Sequence, residues 1–228
     1  MNTQPIEKAQ QCEGYVLDVV DVFTTIQGEG PHSGKLALFI RLGGCNLQCP
    51  QCDTNYTKGR RLVSVSALYE FRTTHPVVVI TGGEPFRQNI GRLCRAFLSS
   101  PNPPIVQIES NGTLPPPQNF PREVEVVCSP KTGSINKKLL PHITAYKYVV
   151  PPLAGNLGAD WLPVRALDHP SKTLARPHSP NIPVYLTPEQ DQGTKTVLAP
   201  TKDNLFKIVK KRPECVAQCQ LHKVLEIS

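Results

Sequence analysis

The sequence of 228 residues contains no apolar run approaching the roughly 20 residues that a membrane-spanning helix needs. Its first residues, from Met1 to Gly14, are polar and do not resemble a secretion signal. Eight cysteines are too few, for a chain of this length, to build a secreted scaffold held by disulfides. We therefore expect a cytoplasmic protein with no membrane partner. In such a reducing compartment, clustered cysteines indicate a metal site or catalysis.

The sequence also lacks internal repeats, and its length is suited to one sizeable core, so we expect a single domain over residues 1–228. The net charge is +7, from 25 Lys and Arg against 18 Asp and Glu. This excess is compatible with a nucleic-acid partner or with an electropositive cleft for small anions. The densest basic stretch, Lys207 to Arg212, is typical of a solvated helix end, so nucleic acid is not expected.

Short β-rich segments alternate with segments of helical periodicity. We predict strands at residues 15–23, 36–42, 77–80, 105–108, 124–127, 146–150, 183–186 and 216–220, and helices at about 64–75, 87–98 and 203–211. This alternation indicates an α/β fold with a parallel sheet and functional loops at the carboxyl ends of its strands. The proline-rich stretch from Pro151 to Pro183 has no sustained periodicity, and we interpret it as an insertion or a lid.

The strongest chemical signal is a cluster of three cysteines, Cys45, Cys49 and Cys52, directly after a predicted strand. Three close thiolates on a loop suit a soft metal or an iron–sulfur cluster. A structural zinc ion would need a fourth ligand, and the nearest candidates are the poor ligand Asp53 and the distant His32. Three ligands on a four-iron cluster leave one iron open to an external molecule.

The spacing Cys-x-x-x-Cys-x-x-Cys resembles that of the radical S-adenosylmethionine (SAM) enzymes. The sequence Thr81-Gly82-Gly83-Glu84-Pro85, at the end of a buried strand, is similar to their glycine-rich methionine-binding turn. The resemblance implies an incomplete (β/α) TIM-like barrel, a 4Fe-4S cluster held by the three cysteines, and SAM bound at the open iron.

Further motifs resemble the 7-carboxy-7-deazaguanine synthases. They are Phe-Thr-Thr-Ile-Gln-Gly-Glu-Gly at residues 23–30, Cys-Asp-Thr at 52–54, Ser-Pro-Lys at 129–131 and Gln-Leu-His-Lys at 220–223. Such an enzyme is a carbon–nitrogen lyase that converts 6-carboxytetrahydropterin to 7-carboxy-7-deazaguanine with loss of ammonia, in queuosine-type biosynthesis. The resemblance also implies Mg²⁺, a homodimer and an electron donor such as flavodoxin or ferredoxin.

The resemblance carries roles to individual positions, and no side chain is expected to act as a catalytic acid or base. The implied SAM contacts are Gln51, Cys52, Asp53, Gly83, Glu84, Ser129, Pro130 and Lys131, and the implied Mg²⁺ ligand is Thr54. The implied substrate contacts are Ile26, Gln27, Gly28, Glu29, Arg41, Thr81, His222 and the terminal Ser228. A guanidinium such as that of Arg41 is a natural bidentate partner for the substrate carboxylate.

Two positions depart from the family pattern. Gln51 stands where these enzymes often have an aromatic residue, and Thr187 stands where they commonly have glutamine. Cys215 and Cys219, followed by His222, mimic a second metal site but supply too few ligands.

Two other functions stay open on sequence: a radical SAM activase of a glycyl-radical enzyme, and a cysteine-rich module that binds zinc or RNA.

Overall fold

The structure is a computed structural model that describes residues 1–71, 75–152, 154–190 and 196–227. The strands are β1 (Val16–Ile26), β2 (Leu36–Leu42), β3 (Arg61–Ser64), β4 (Val77–Gly82), β5 (Ile105–Ser110), β6 (Glu125–Cys128), β7 (Ile143–Val150), β8 (Val184–Pro188) and β9 (Val216–Ala217). The α-helices are α1 (Val65–Glu70), α2 (Gly91–Leu98), α3 (Ala199–Lys211) and α4 (Leu221–Val224).

All nine of these strands form one sheet in the order β3-β1-β2-β4-β5-β6-β7-β8-β9. The neighbouring strands β2, β4, β5, β6, β7, β8 and β9 pair in parallel. β1 pairs antiparallel with both β2 and β3. Within the described residues β3 and β9 do not pair with each other, so the sheet stays open. This architecture confirms the predicted α/β fold of the incomplete-barrel type.

The two faces of the sheet have different partners. Alternate residues of the central strands, among them Leu38, Ile40 and Ile80, pack with Leu93 and Phe97 of α2 in the main core. On the opposite face a smaller apolar cluster is formed by Ala37, Val77 and Val79, with Phe39 and Ile105 packed against it. Because side chains alternate along a strand, Arg41 and Thr81 continue this second face toward the carboxyl ends of β2 and β4. This second face is therefore apolar in its centre and polar at the carboxyl ends of β2 and β4, and we call this polar end the mouth.

The loop between β1 and β2 lies across the second face. The side chain of Val127 in β6 is 3.9 Å from the position that a Cβ would occupy at Gly30. His32 pairs with Glu125 of β6, with 2.7 Å between Nε2 and the carboxylate. These contacts hold the loop over the mouth, so that its residues 27–29 lie there.

Several predicted boundaries are wrong, each for a local reason. The helix predicted from residue 87 begins at Gly91, because Pro85–Arg87 forms a 3-10 turn first. The strand predicted over 216–220 ends at Ala217, and the side chain of the next residue, Gln218, bonds the backbone of Gly30. The helix predicted over 64–75 is described as far as Glu70, and residues 72–74 lie outside the described residues.

Regular alternation of strands and helices is only partly confirmed. Within the described residues, no α-helix connects β5 to β6, β6 to β7 or β7 to β8. Prolines crowd into the first and last of these connections, and proline both removes a backbone donor and clashes inside a helix. The segment from Pro151 to Pro183 has a single 3-10 turn, Ala154–Asn156, among its described residues. No described helix is long and apolar enough to cross a membrane.

Candidate active site

The three clustered cysteines lie on the loop that follows β2, which we call the cluster loop (residues 43–60). All three are free thiols, and Cys49 is 8% exposed. The loop is tightened by a hydrogen bond from the Cys52 N–H to the Cys49 carbonyl at 3.1 Å, and by the Leu47 N–H, 3.5 Å from the Cys45 sulfur. The structure thus gathers the predicted cluster ligands at the carboxyl end of β2.

Burial raises the pKa of each of these thiols, that of Cys45 to about 12. Loading a metal centre therefore displaces protons from them. Among the described residues no three His, Cys, Asp or Glu side chains converge as they would around one ion. A four-iron cluster accepts each thiolate on a different iron, so three thiols on one loop supply a suitable donor set for it.

The glycine-rich turn after β4 lies directly against the cluster loop. The Gly83 N–H donates to the Leu42 carbonyl at 3.1 Å, and the Glu84 N–H donates to the Gly44 carbonyl at 3.0 Å. A Cβ at position 83 would lie 1.9 Å from the Gly44 oxygen, and Gly82 has φ of +122°. Only glycine permits this approach. The turn and the thiols therefore form one structural unit.

The Glu84 carboxylate is fully buried and acts as an anchor between strands. It accepts hydrogen bonds from the Ser110 hydroxyl and the Asn111 N–H, each at 2.8 Å, and from the Phe86 N–H at 3.1 Å. Burial raises its pKa to about 7 against these hydrogen bonds, which lower it. Its side chain is therefore committed to the protein, and the implied SAM contact of Glu84 stays a prediction.

The Ser129-Pro130-Lys131 segment follows β6 and faces the thiols. The Ser129 N–H donates to the Ser110 carbonyl at 2.8 Å, which joins the ends of β5 and β6. The Lys131 ammonium folds back to the Ser129 carbonyl at 2.8 Å and to its hydroxyl at 2.7 Å. Burial lowers the pKa of Lys131, while the charge of the Cys49 thiolate opposes this effect. These residues border the side of the cluster loop where the resemblance expects SAM.

A polar cluster occupies the mouth beneath the β1–β2 loop. The Lys147 ammonium lies 2.5 Å from the Glu29 carboxylate and 3.7 Å from that of Glu109. Glu109 also accepts hydrogen bonds from the Thr81 hydroxyl at 3.2 Å and the Gln27 amide at 3.3 Å. Although burial would lower the pKa of Lys147, the charges of Glu109 and Glu29 raise it above its usual range. The structure thus brings Gln27, Glu29 and Thr81 together, as the resemblance implies.

Arg41 ends β2 on the same face. Its guanidinium carbon lies 5.3 Å from the centre of the Phe23 ring, and its backbone pairs in register with Thr81. The Nε atom is buried and has no hydrogen-bond partner among the described residues. A buried, unpaired donor on a permanent cation is costly unless a ligand satisfies it. This arrangement fits a carboxylate ligand better than a surface salt bridge.

The segment after β9 folds back over the mouth. Gln218 exchanges two hydrogen bonds with the backbone of Gly30, at 2.7 and 2.9 Å, and the Leu221 N–H donates to the Gly28 carbonyl at 3.2 Å. His222 packs so closely on Gly28 that a Cβ there would lie 2.2 Å from Nδ1. Burial lowers the pKa of His222. His222 therefore reaches the predicted substrate loop, whereas Ser228 lies outside the described residues.

The tail is also tied to the cluster loop. The Lys223 ammonium donates to the Asp53 carboxylate at 3.1 Å, and the adjacent Thr54 hydroxyl lies 3.4 Å from the same carboxyl group. Gln51 points away from this contact: its N–H donates to the Leu167 carbonyl at 3.1 Å and its amide to Asp168 at 3.2 Å. One loop thus meets the tail on one side and the proline-rich segment on the other.

The remaining flagged positions are dispersed. Ile26 ends β1 and precedes the residues of the mouth. Thr187 is 4% exposed, and its hydroxyl has no hydrogen-bond partner among the described residues. Cys215 is buried, Cys219 is exposed, and no described metal-binding group includes them.

Sequence reasoning missed Glu109, Lys147 and Gln218, and it assigned no role to Lys223 although that residue lies in the motif at 220–223. Glu109 and Lys147 sit at the carboxyl halves of two parallel strands, β5 and β7, where polar side chains face the mouth. A charged residue inside an otherwise apolar strand was the available signal.

An open parallel sheet with a three-thiol loop after its first parallel strand, against a glycine-rich turn after the second, defines a radical SAM enzyme fold and site. No family model matches the chain. It is 41% identical over 190 residues to 7-carboxy-7-deazaguanine synthase of Rhodospirillum rubrum, covering 80% of this chain and 79% of that protein. It is 43% identical over 152 residues to the Rickettsia prowazekii enzyme of the same name, covering 60% and 63%. The chain belongs to the 7-carboxy-7-deazaguanine synthase family.

Solved structures agree on the fold. The crystal structure of QueE from Escherichia coli superposes with a TM-score of 0.64 over 91% of this chain and 95% of that one, at 22% identity. These comparisons do not favour the glycyl-radical activase or the zinc or RNA module. The chain is an enzyme of the lyase class.

Proposed function

We propose that this chain converts 6-carboxytetrahydropterin to 7-carboxy-7-deazaguanine with release of ammonia, the reaction of its family, in queuosine-type biosynthesis. The observation that carries the proposal is the set of charged groups at the mouth: the buried Nε of Arg41 has no hydrogen-bond partner among the described residues, and Lys147 pairs with the carboxylates of Glu29 and Glu109. A substrate with one carboxylate and a donor-rich amino-pyrimidine edge complements this set, which offers a guanidinium to the carboxylate and carboxylate acceptors to the donors.

Cys45, Cys49 and Cys52 would hold a 4Fe-4S cluster, and SAM would lie between the cluster loop and the turns at Gly83 and Ser129. Bound there, cluster and SAM supply a reducible centre and the carbon radical that begins the reaction. The protein's part is to orient the substrate and exclude water. The implied SAM contacts at Gln51, Asp53, Glu84, Pro130 and Lys131 belong to this proposal.

Substrate binding is assigned to the residues of the mouth. Arg41 binds the carboxylate, and Glu29 accepts hydrogen bonds from the amino-pyrimidine edge, with Gln27, Gly28 and Thr81 beside it. Ile26 lines the same loop, and His222 with the terminal Ser228 covers the substrate. The Lys147 ammonium lies 2.5 Å from the Glu29 carboxylate and holds it in place, and a carboxylate acts as a hydrogen-bond acceptor.

Thr54 is our proposed Mg²⁺ ligand. Its hydroxyl is at the rim beside Asp53, next to the tail contact of Lys223. Mg²⁺ usually retains several waters and takes one or two protein ligands with substrate oxygens, which suits a single hydroxyl at an open rim.

The proline-rich segment at 151–183 is proposed as a wall of the SAM site within one domain over residues 1–228. Besides the bonds from Gln51 to Leu167 and Asp168, the Ala175 N–H donates to the Thr132 carbonyl at 2.7 Å. A Cβ at Gly133 would lie 2.4 Å from the Thr173 hydroxyl. The segment therefore has contacts on both sides of the proposed pocket.

Partners and location follow from the same chemistry. The cluster needs a one-electron donor such as flavodoxin or ferredoxin, and a reducing cytoplasm would keep the three thiols available. We also propose a homodimer, as the family resemblance implies.

The test is anaerobic reconstitution with iron and sulfide, followed by incubation with reductant, SAM, Mg²⁺ and 6-carboxytetrahydropterin. Mass spectrometry should detect 7-carboxy-7-deazaguanine from the wild-type chain and none from Cys49→Ala. Formation of 5′-deoxyadenosine without this product would overturn the substrate assignment and leave the radical machinery intact. Bound zinc without sulfide would overturn both.

A further inference from the structure

Residues 2–7 run along the cluster loop and bond to the backbone beside the thiols. The Asn2 amide donates to the Cys49 carbonyl at 3.1 Å, and the Asn2 N–H donates to the Pro50 carbonyl at 2.9 Å. The Glu7 N–H donates to the Cys45 carbonyl at 2.7 Å, and Ile6 forms a parallel bridge with Cys45. Two of the three thiol-bearing residues therefore have their carbonyls bonded by this segment.

Gln4 makes the central contacts. Its side-chain amide donates to the Thr54 carbonyl at 3.0 Å, and its side-chain oxygen accepts from the Tyr56 N–H at 2.6 Å. Its own carbonyl accepts from the Gln48 amide at 2.7 Å. One residue thus bridges the loop from before Cys49 to after Cys52.

The same segment also forms ion pairs through Glu7. The Glu7 carboxylate pairs with Arg60 at 2.5 Å and with Arg87 at 3.2 Å. Arg87 is 2% exposed and donates to the Gly43 carbonyl at 3.1 Å. The cluster loop has almost no regular secondary structure, so it lacks the regular backbone hydrogen bonds that fix a helix or a strand. The bonds from residues 2–7 take their place.

We propose that residues 2–7 form a positioning strap for the cluster loop, with Gln4 as its central contact, which holds the three thiols in place around the cluster. The strap touches neither substrate nor SAM in this assignment, so it acts through the cysteines. The inference rests on the proposed cluster-dependent function.

The experiment compares reconstituted wild-type, Gln4→Met and Lys8→Met proteins under anaerobic conditions. Gln4→Met keeps the side-chain length and removes the hydrogen bonds of the amide with Asn2, Thr54, Tyr56 and Thr57. Lys8→Met is the control, because Lys8 is exposed and directly follows residues 2–7. The readouts are the rate of iron release to a chelator, the electron paramagnetic resonance spectrum of the reduced cluster with and without SAM, and the melting temperature of the apoprotein. Asn2→Leu replaces Gln4→Met should the latter fail to fold.

We expect iron release from Gln4→Met to be about tenfold faster, equivalent to about 1.4 kcal/mol, with an altered spectrum, and Lys8→Met to match the wild type. As a second control, Ile208→Val weakens the core at α3, which packs on β7, β8 and β9, and should leave iron release unchanged. Equal iron release from wild type and Gln4→Met, or faster iron release from Ile208→Val as well, would overturn the strap proposal and leave the cofactor assignment intact. A wild-type chain that binds no iron and sulfide would overturn the cofactor assignment and the strap together.

Discussion

Replacing Lys147 by Met tests the polar cluster in the mouth most directly. The change keeps the length of the side chain and removes a buried ammonium that lies 2.5 Å from Glu29 and 3.7 Å from Glu109. Two unit charges about 4 Å apart interact by about 4 kcal/mol at an effective dielectric constant near 20. Removing one member of a buried pair typically costs about 3–5 kcal/mol, because the partner is left uncompensated.

We therefore expect the free energy of unfolding of Lys147→Met to be lower by about 3–5 kcal/mol at pH 8. For a chain of this size that corresponds to a fall in melting temperature of about 10 °C. The loss should be present in full at pH 8. Although burial opposes it, the charges of Glu109 and Glu29 raise the pKa of Lys147 in the folded state, so its contribution to stability is complete at any pH below the usual pKa of a lysine.

Urea denaturation at pH 8 measures the loss, with Lys207→Met as the matched control because Lys207 is exposed on α3. Adding Glu29→Gln to Lys147→Met should recover part of the loss. A loss below about 1 kcal/mol, the scale of an exposed ion pair, would refute the reasoning.

Three further changes test the site. Cys49→Ala should abolish the cluster absorbance and SAM cleavage, whereas Ala at the exposed Cys219 should leave both unchanged; retained cleavage in the first variant would refute the ligand assignment. Arg41→Ala should raise the KM for the pterin about 10- to 100-fold, the scale of a charged hydrogen bond, while calorimetry finds SAM binding unchanged. Gly28→Ala should displace His222, whose Nδ1 would lie 2.2 Å from the new Cβ. Its KM for the pterin should rise about fivefold through loss of about one hydrogen bond, and an unchanged KM would separate His222 from the substrate.

The sequence predicted most of the parallel sheet because its buried strands are short apolar runs bounded by turn residues. It did not predict β3, whose residues Arg61–Ser64 are half polar and become a strand by pairing with β1. Such pairing depends on a distant partner, as the register of Val16 with Ser64, 48 positions away, illustrates. Periodicity within a short window carries no information about it.

The same limit explains which parts of the site were found. The cysteines and the Gly83 turn carry their own local patterns, and the structure brings them into contact. Lys147 has no local pattern that would connect it to Glu29, because their contact forms only where the β1–β2 loop crosses the sheet to reach β7. Residues 2–7 likewise have no local pattern that predicts their role, because their contribution to the cluster loop consists of backbone and amide hydrogen bonds that many polar sequences could make.

The open sheet ends in short strands on both sides. β9 has two residues, and β3 has four, of which the first is the exposed Arg61. An edge strand presents free N–H and C=O groups on which another chain can build, and short or charged edges discourage this addition. We therefore expect that the barrel can remain open for its ligands without recruiting further strands, and that a homodimer of this chain would associate through side-chain surfaces rather than by extending the sheet.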